Sequence, residues 1–202
     1  AFSQRYGVPF IATPSNSRGP FCVLSAACLL PLAAVGYDIA EILRGASQMD
    51  SACMKENMYG NPALLASASI YRALLSGRKK GVMVSAASDH MTALAVWFSR
   101  LIGSALYGNV RYVLAAEYGS VNVAKSALGS DLFLFLEDEQ NGREIKKEGG
   151  KAHSSFMFRI IDRDEYSAGQ AVYALQASAS MLAELSGRNI FDTERFKTPN
   201  HK

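Results

Sequence analysis

An uncharged run of nineteen residues lies between Arg18 and Asp38, and it constrains the fold more than any other feature of the sequence. A helix needs about 20 predominantly apolar residues to cross a bilayer, so the run is barely long enough to be a membrane span. Pro31 in its middle would remove a backbone donor and kink such a helix. The run could also form a buried core helix or the wall of a binding site. We predict a buried helix at residues 24–34.

The composition indicates a globular chain. Its 202 residues fit one domain, and 49% of them are hydrophobic while 19% are charged. The net charge of +3 is small and scattered. The densest basic cluster, Arg78 to Lys80, has no interleaved aromatic residues and is typical of a solvated turn rather than a nucleic-acid groove. We therefore expect no nucleic-acid partner and no membrane insertion.

The cysteines favour neither a disulfide framework nor a metal site. Cys22, Cys28 and Cys53 are odd in number and follow no CxxC spacing. We predict that Cys22 and Cys28 are small core residues, and that the chain needs no metal and no cofactor. No basic, apolar and small-residue leader opens the sequence, so a cytoplasmic location is expected. A start without methionine reads as if the chain begins within a longer protein.

Apolar runs and helical patterns alternate along the chain with short connections. The strand predictions are residues 8–14, 81–85, 111–116, 131–137 and 154–161. The helix predictions are residues 24–34, 37–55 with a possible break near Gly45, 61–75 with Asn61 as its cap, 89–103 with Asp89 as its cap, 120–128 and 164–188. Continuous apolar strands that alternate with helices indicate a mostly parallel sheet. We predict an α/β fold, a three-layer α/β/α sandwich in a single domain.

Two turns could bind an anion in such a sheet, because ligands bind beyond the carboxyl ends of parallel strands. The first turn follows residues 81–85 and offers the hydroxyls of Ser85 and Ser88. The second turn, residues 13–19 after the first predicted strand, contains Ser17, Arg18 and Gly19. Serine-rich turns also serve as helix caps, so the residues alone indicate no more than an α/β domain able to bind an anionic small molecule.

Three segments resemble glucose-6-phosphate isomerase, specifically the second of its two sugar-isomerase (SIS) domains. SNSRGPFCVLSAACLLPLAAVGYDI is similar to a family stretch that runs from Gly-Gly-Arg to Leu-Leu-Pro and Gly-Ile-Asp-Ile. GNPALLASASIYRALLSGRKK and the following VMVSAASDHMTALAVWFSRLIG resemble its Asn-Pro-Ala helix, strand and Trp-containing helix. EYSAGQAVYALQASASMLAELSGRNIFD resembles its closing helix. The resemblance implies an SIS-type fold over residues 1–202, with the family's first domain absent.

The same resemblance assigns this chain's residues to the family's catalytic positions. The arginine of Gly-Gly-Arg falls on Pro20, directly after Gly19, and the catalytic glutamate falls on Ser104. The family's histidine falls on Gly119. Aldose-ketose isomerisation needs an acid-base pair and a cation for the enediolate, and none of these three residues supplies them.

Two residues remain as weak catalytic candidates under the resemblance. Glu117 stands where the family has the aspartate of its Asp-x-His-Ser motif, and Lys197 is a loose match to its lysine. Arg18, Ser17, Gly19, Ser85 and Ser88 are the implied substrate-binding residues.

The resemblance implies a function with two forms. In one, the chain takes part in the interconversion of glucose 6-phosphate and fructose 6-phosphate, in glycolysis and gluconeogenesis, once a first domain or a partner completes it. In the other, it is a noncatalytic module that binds a phosphosugar or a protein. A homodimer or a separate first-domain chain is the expected partner, because a bilobal enzyme cut at its interdomain face exposes apolar surface.

Overall fold

The structure is a computed structural model, and it describes residues 2–13, 19–75, 81–86, 91–106, 112–117, 131–138, 155–160 and 164–191. Its helices are α1 (Phe2–Tyr6), α2 (Ala26–Ala34), α3 (Ile39–Cys53), α4 (Pro62–Leu75), α5 (Thr92–Leu106) and α6 (Glu165–Leu185). Its strands are β1 (Gly81–Ala86), β2 (Tyr112–Glu117), β3 (Asp131–Asp138) and β4 (Ser155–Ile160). Short 3-10 turns occur at Gly19–Cys22 and Met58–Gly60.

The four strands form one parallel sheet in the order β2-β1-β3-β4. This confirms four of the predicted strands and their parallel direction. The core lies between the central strands and helices α4, α5 and α6. Its fully buried side chains include Val82 and Val84 of β1, Leu134 of β3, Phe98 of α5 and Leu182 of α6.

The predicted strand at residues 8–14 is wrong for the part that the structure describes. Residues 8–13 have no regular secondary structure. Pro9 has no N–H to donate to a ladder, and the apolar side chains on either side of it are exposed, with Phe10 78% and Ile11 55% accessible. The pattern predicted burial, but no described part of the chain covers this run.

The uncharged run forms the predicted helix, α2, but that helix is not buried. Only Leu29 is buried in it, while Leu30 is 56% exposed and most other positions are accessible. The run is apolar on every side, so its sequence could not indicate which side is covered. Within the described part of the chain, every helix is too short or too polar to traverse a bilayer.

Helix α3 continues through Gly45 without the break that the sequence suggested. Gly45 faces α6 so closely that an added Cβ would lie 1.9 Å from the carbonyl oxygen of Tyr166. Gly169 of α6 makes the reciprocal approach, since its Cβ would lie 1.9 Å from the carbonyl oxygen of Ile42. The two glycines allow the backbones to cross in contact, which is a packing role rather than a helix-breaking one.

The predicted cap of α4, Asn61, is confirmed. Asn61 is 2% exposed, and its Oδ1 accepts from the N–H of Leu64 at 2.9 Å at the start of α4. Its Nδ2 donates to the carbonyl oxygens of Cys53 and Lys55, so one side chain joins the end of α3 to α4. The predicted cap Asp89 and the predicted helix at residues 120–128 lie outside the described residues.

Candidate functional site

Ser85 is the penultimate residue of β1, at the carboxyl end of a central strand. Its side chain is fully buried, and its Oγ has no hydrogen-bond partner among the residues that the structure describes. A buried hydroxyl without a partner costs about 1–3 kcal/mol, and such groups in folded proteins call for an explanation. A ligand that bonds to Ser85 at this edge would supply one.

The sheet topology marks the same edge. The chain passes from β1 to β2 on one side and then crosses to β3 on the other, so β1 and β3 flank the point where the strand order reverses. In open α/β sheets the ligand crevice lies outside the carboxyl ends of the strands at this point. Ser85 is paired with Phe135 of β3 and with Ala116 of β2. The predicted binding serine therefore stands beside the topological switch point.

Glu117 is the last residue of β2 and pairs in register with Ala86, one residue beyond Ser85. The parallel register therefore places a glutamate and Ser85 at the ends of neighbouring strands. The sequence alone does not show this proximity, because 31 residues lie between the two. The pairing places Glu117 at the sheet edge where we expect a ligand. Of the two weak catalytic candidates, Glu117 lies within the part of the chain that the structure describes and Lys197 does not.

The turn at Gly19–Cys22 is held against α5. Gly19 has φ +58, a left-handed conformation that favours glycine. The indole N–H of Trp97 donates to the carbonyl oxygen of Pro20 at 2.8 Å, and the ring of Phe21 packs on that of Phe191 with centroids 5.1 Å apart. Since α5 follows β1, this bond joins the turn of Gly19 to the helix that leads away from Ser85. Trp97 and Pro20 are 77 positions apart in the sequence, so no local sequence signal predicted this hydrogen bond.

The N-terminus of α6 is already occupied by a carboxylate. Asp164 caps it by accepting from the N–H of Ser167 at 2.7 Å, and this backbone hydrogen bond lowers the pKa of Asp164. An ionised side chain on the first turn repels an anionic ligand from that helix end. An anion at the carboxyl edge would therefore be better placed near β1 and α5 than near α6.

The described residues at the positions that the resemblance predicts to be catalytic, Pro20 and Ser104, carry no acid-base group. Ser104 lies near the end of α5, where its Oγ donates to the carbonyl oxygen of Arg100 at 2.9 Å. Its side chain therefore bonds to its own helix, and a serine hydroxyl is not an acid-base group at neutral pH. Pro20 supplies a carbonyl to Trp97 and no cation. The predicted residues Ser17, Arg18, Ser88, Gly119 and Lys197 lie outside the described residues. The described arrangement can bind through a hydroxyl and backbone groups.

In the described ranges, no group of three or more histidine, cysteine, aspartate or glutamate side chains could hold a metal ion. Cys22 and Cys28 are half-buried free thiols rather than the core residues that the sequence predicted, and their Sγ atoms lie 3.7 Å apart.

Comparison with known proteins agrees with this architecture. No protein-family model matches the sequence. The chain is 37% identical over 106 residues to glucose-6-phosphate isomerase of Carboxydothermus hydrogenoformans, a match that covers 52% of this chain and 23% of that enzyme. It is 32% identical over 210 residues to glucose-6-phosphate isomerase of Synechococcus sp. (strain CC9902), which covers 86% of this chain and 39% of that enzyme. The predicted resemblance to this family is confirmed.

A solved structure extends the comparison to the fold. The crystal structure of a hypothetical protein from Thermus thermophilus matches 95% of this chain and 55% of its own, with a TM-score of 0.71 at 19% identity. At that identity the likeness shows the fold alone. The chain spans 23% and 39% of the two isomerases above, well under half of their length.

Proposed function

We propose that this chain is a glucose-6-phosphate isomerase-like SIS domain that binds a phosphosugar, glucose 6-phosphate or fructose 6-phosphate, at the carboxyl edge of its sheet. The observation that carries the proposal is the buried hydroxyl of Ser85, which has no hydrogen-bond partner among the described residues and lies at the switch point of a chain similar to glucose-6-phosphate isomerases. In this proposal residues 1–202 form one three-layer α/β/α domain of the SIS type.

The binding residues of the proposal come from two turns. Ser85 lies in β1 and Ser88 follows it, while Ser17 and Arg18 precede the 3-10 turn that begins at Gly19 and that Trp97 holds against α5. Hydroxyls and backbone N–H groups bond phosphate oxygens, and a guanidinium adds a charge-assisted pair. The bond between Trp97 and Pro20 supports this grouping because it ties the second turn to the helix that follows the first.

Turnover is proposed only for a completed assembly. Isomerisation moves a proton between C1 and C2, opens the sugar ring and stabilises an enediolate, which requires a carboxylate, a second acid-base group and a cation. Glu117 and Lys197 are the weak candidates for such groups in this chain. Ser104 stands at the position that the family uses for its glutamate, so we expect a first domain or partner to supply what is missing.

The exposed apolar surface supports a partner chain. Phe10, Ile11, Leu30 and Val35 are 55% or more accessible, and they belong to the segment before the 3-10 turn and to α2 with its C-cap. Large exposed apolar side chains in neighbouring segments are typical of interaction surfaces. A homodimer or a separate first-domain chain, in the cytoplasm, is our proposal for the assembly. The same surface favours the second candidate function, a noncatalytic protein-interaction module.

Two measurements test the proposal. Ligand-observed NMR with glucose 6-phosphate, fructose 6-phosphate and inorganic phosphate should show weak binding to the chain that Arg18→Ala reduces. Absence of binding to all three would contradict phosphosugar recognition and favour the protein-interaction function. A coupled assay for fructose 6-phosphate should give only background turnover for the chain alone. Turnover well above background that is lost on Arg18→Ala or Lys197→Ala would show that displaced residues have taken over catalysis.

A further inference from the structure

The thiols of Cys22 and Cys28 meet because of the local backbone. The N–H of Ser25 donates to the carbonyl oxygen of Cys22 at 2.9 Å, and the N–H of Cys28 donates to that of Ser25 at 3.0 Å. Ser25, between the two bonds, is extended with φ −90 and ψ 162, so the chain changes direction there and the 3-10 turn and α2 do not run on as one helix. The Sγ atoms lie 3.7 Å apart, in van der Waals contact, with both residues half-buried rather than sealed in the core.

From this geometry we propose that Cys22 and Cys28 form a reversible intramolecular disulfide, a redox-modification site at the end of the turn that carries Gly19. The oxidant is a low-molecular-weight disulfide such as oxidised glutathione. One cysteine thiolate attacks a glutathione sulfur, which forms a mixed disulfide and releases one glutathione thiolate. The second cysteine loses its proton and attacks the mixed disulfide at the first cysteine's sulfur, which releases the second glutathione. The protein loses two electrons and two protons, and one glutathione disulfide becomes two glutathione thiols.

The pair is suited to a reversible role rather than a structural one. The loop that the bond would close contains only five residues between the cysteines, and short loops give the least stabilisation from cross-linking. Partial exposure leaves the bond open to reduction. Burial and the hydrogen bond to Cys22 raise the pKa of Cys28 above its ordinary 9.0, so closing should be slow at neutral pH and faster in alkaline solution.

Formation of the disulfide should also shift the 3-10 turn at the candidate site. Cys22 ends the 3-10 turn Gly19–Cys22, and the Sγ atoms must approach by more than 1 Å to reach the length of about 2 Å of a disulfide bond. Pro20, two residues before Cys22, accepts from the indole of Trp97. Trp97 is the only tryptophan of the chain, so its fluorescence reports on this turn without interference.

A peptide-mass experiment tests the pairing. The full chain is incubated with oxidised glutathione at pH 8.5, alkylated without reduction, and digested with trypsin. Cleavage after Arg18 and Arg44 leaves Cys22 and Cys28 on one peptide and places Cys53 on the next. We expect the first peptide to be lighter than its reduced form by two hydrogen atoms and to resist alkylation until dithiothreitol is added. A peptide that stays fully alkylated, or that carries two glutathiones, would overturn the proposal.

Single serine variants show which cysteines form the disulfide. Cys22→Ser and Cys28→Ser should each leave one stable mixed disulfide on the remaining cysteine, while Cys53→Ser should close the pair as the wild type does, because Cys53 is buried elsewhere. The fluorescence of Trp97 should change on oxidation of the wild type and of Cys53→Ser, and return on reduction. Unchanged fluorescence in a chain whose pair has closed would refute the coupling of the disulfide to the turn.

Discussion

Replacing Gly169 by alanine tests the close crossing of helices α3 and α6. The new Cβ would lie 1.9 Å from the carbonyl oxygen of Ile42 and 2.8 Å from its carbon, so α3 and α6 would have to separate by about 1 Å. Overpacking against rigid backbone costs about 3 kcal/mol, while alanine regains about 1 kcal/mol of helix propensity over glycine. The expected result is a loss of about 2 kcal/mol in the free energy of unfolding.

The assay is urea denaturation followed by circular dichroism, with Ala168→Gly as the matched control. Ala168 is exposed on the same helix, so its replacement should cost about 1 kcal/mol from propensity alone. Gly45→Ala should behave as Gly169→Ala does, and the double variant should lose less than the sum because either substitution opens the crossing. A stabilising Gly169→Ala would refute the reasoning, since only propensity would then be acting.

Two further substitutions test the helix ends. Asn61→Ala should lower the free energy of unfolding by about 2–4 kcal/mol, because it leaves the carbonyls of Cys53 and Lys55 and an N–H of α4 without their partner. Asn57→Ala, on an exposed turn, is the control and should cost about 1 kcal/mol or less in the same urea titration. The pKa of Asp164 is lowered in the folded chain, so its ionised side chain adds to the free energy of unfolding. This stabilisation is fully present above the ordinary pKa of 3.8 and is lost as the pH falls through the pKa of the folded chain. The stability difference between wild type and Asp164→Ala should therefore shrink in acid, and a difference that stays constant from pH 6 to pH 2.5 would exclude this role.

The sequence predicted best where local chemistry decides the structure. Continuous apolar runs between helices predicted β1 to β4, and Asn61 before a proline predicted the start of α4. Both features depend on residues that are close in the sequence. Gly45 was misjudged because its role depends on how close α6 approaches, which is a tertiary property.

The exposed apolar segments were misjudged for a related reason. Hydrophobicity predicted burial for residues 8–13 and for α2, but a pattern records that a residue is apolar, not whether another part of the chain covers it. At the candidate site the sequence predicted Ser85 and Gly19 as binding residues. It could not find Trp97, whose bond to Pro20 depends on the folded chain, nor the register that brings Glu117 beside Ala86.

We propose that the hydroxyl of Ser85, which is buried and without a partner among the described residues, belongs to a phosphosugar site. The most direct test is calorimetric titration of glucose 6-phosphate into the wild type, Ser85→Ala and Ser67→Ala, with thermal unfolding of each. Ser67 is equally buried, but its Oγ already donates to the carbonyl oxygen of Leu64 at 3.1 Å, so it is the matched control.

We expect a Kd on the order of 1 mM for the wild type. Ser85→Ala should weaken binding about tenfold or more, because a hydrogen bond to a charged group contributes about 1.5–3 kcal/mol. The same variant should unfold at a higher temperature than the wild type, since it removes an unsatisfied buried hydroxyl, whereas Ser67→Ala should bind normally and unfold slightly lower. A Ser85→Ala variant that binds glucose 6-phosphate as tightly as the wild type would contradict the claim.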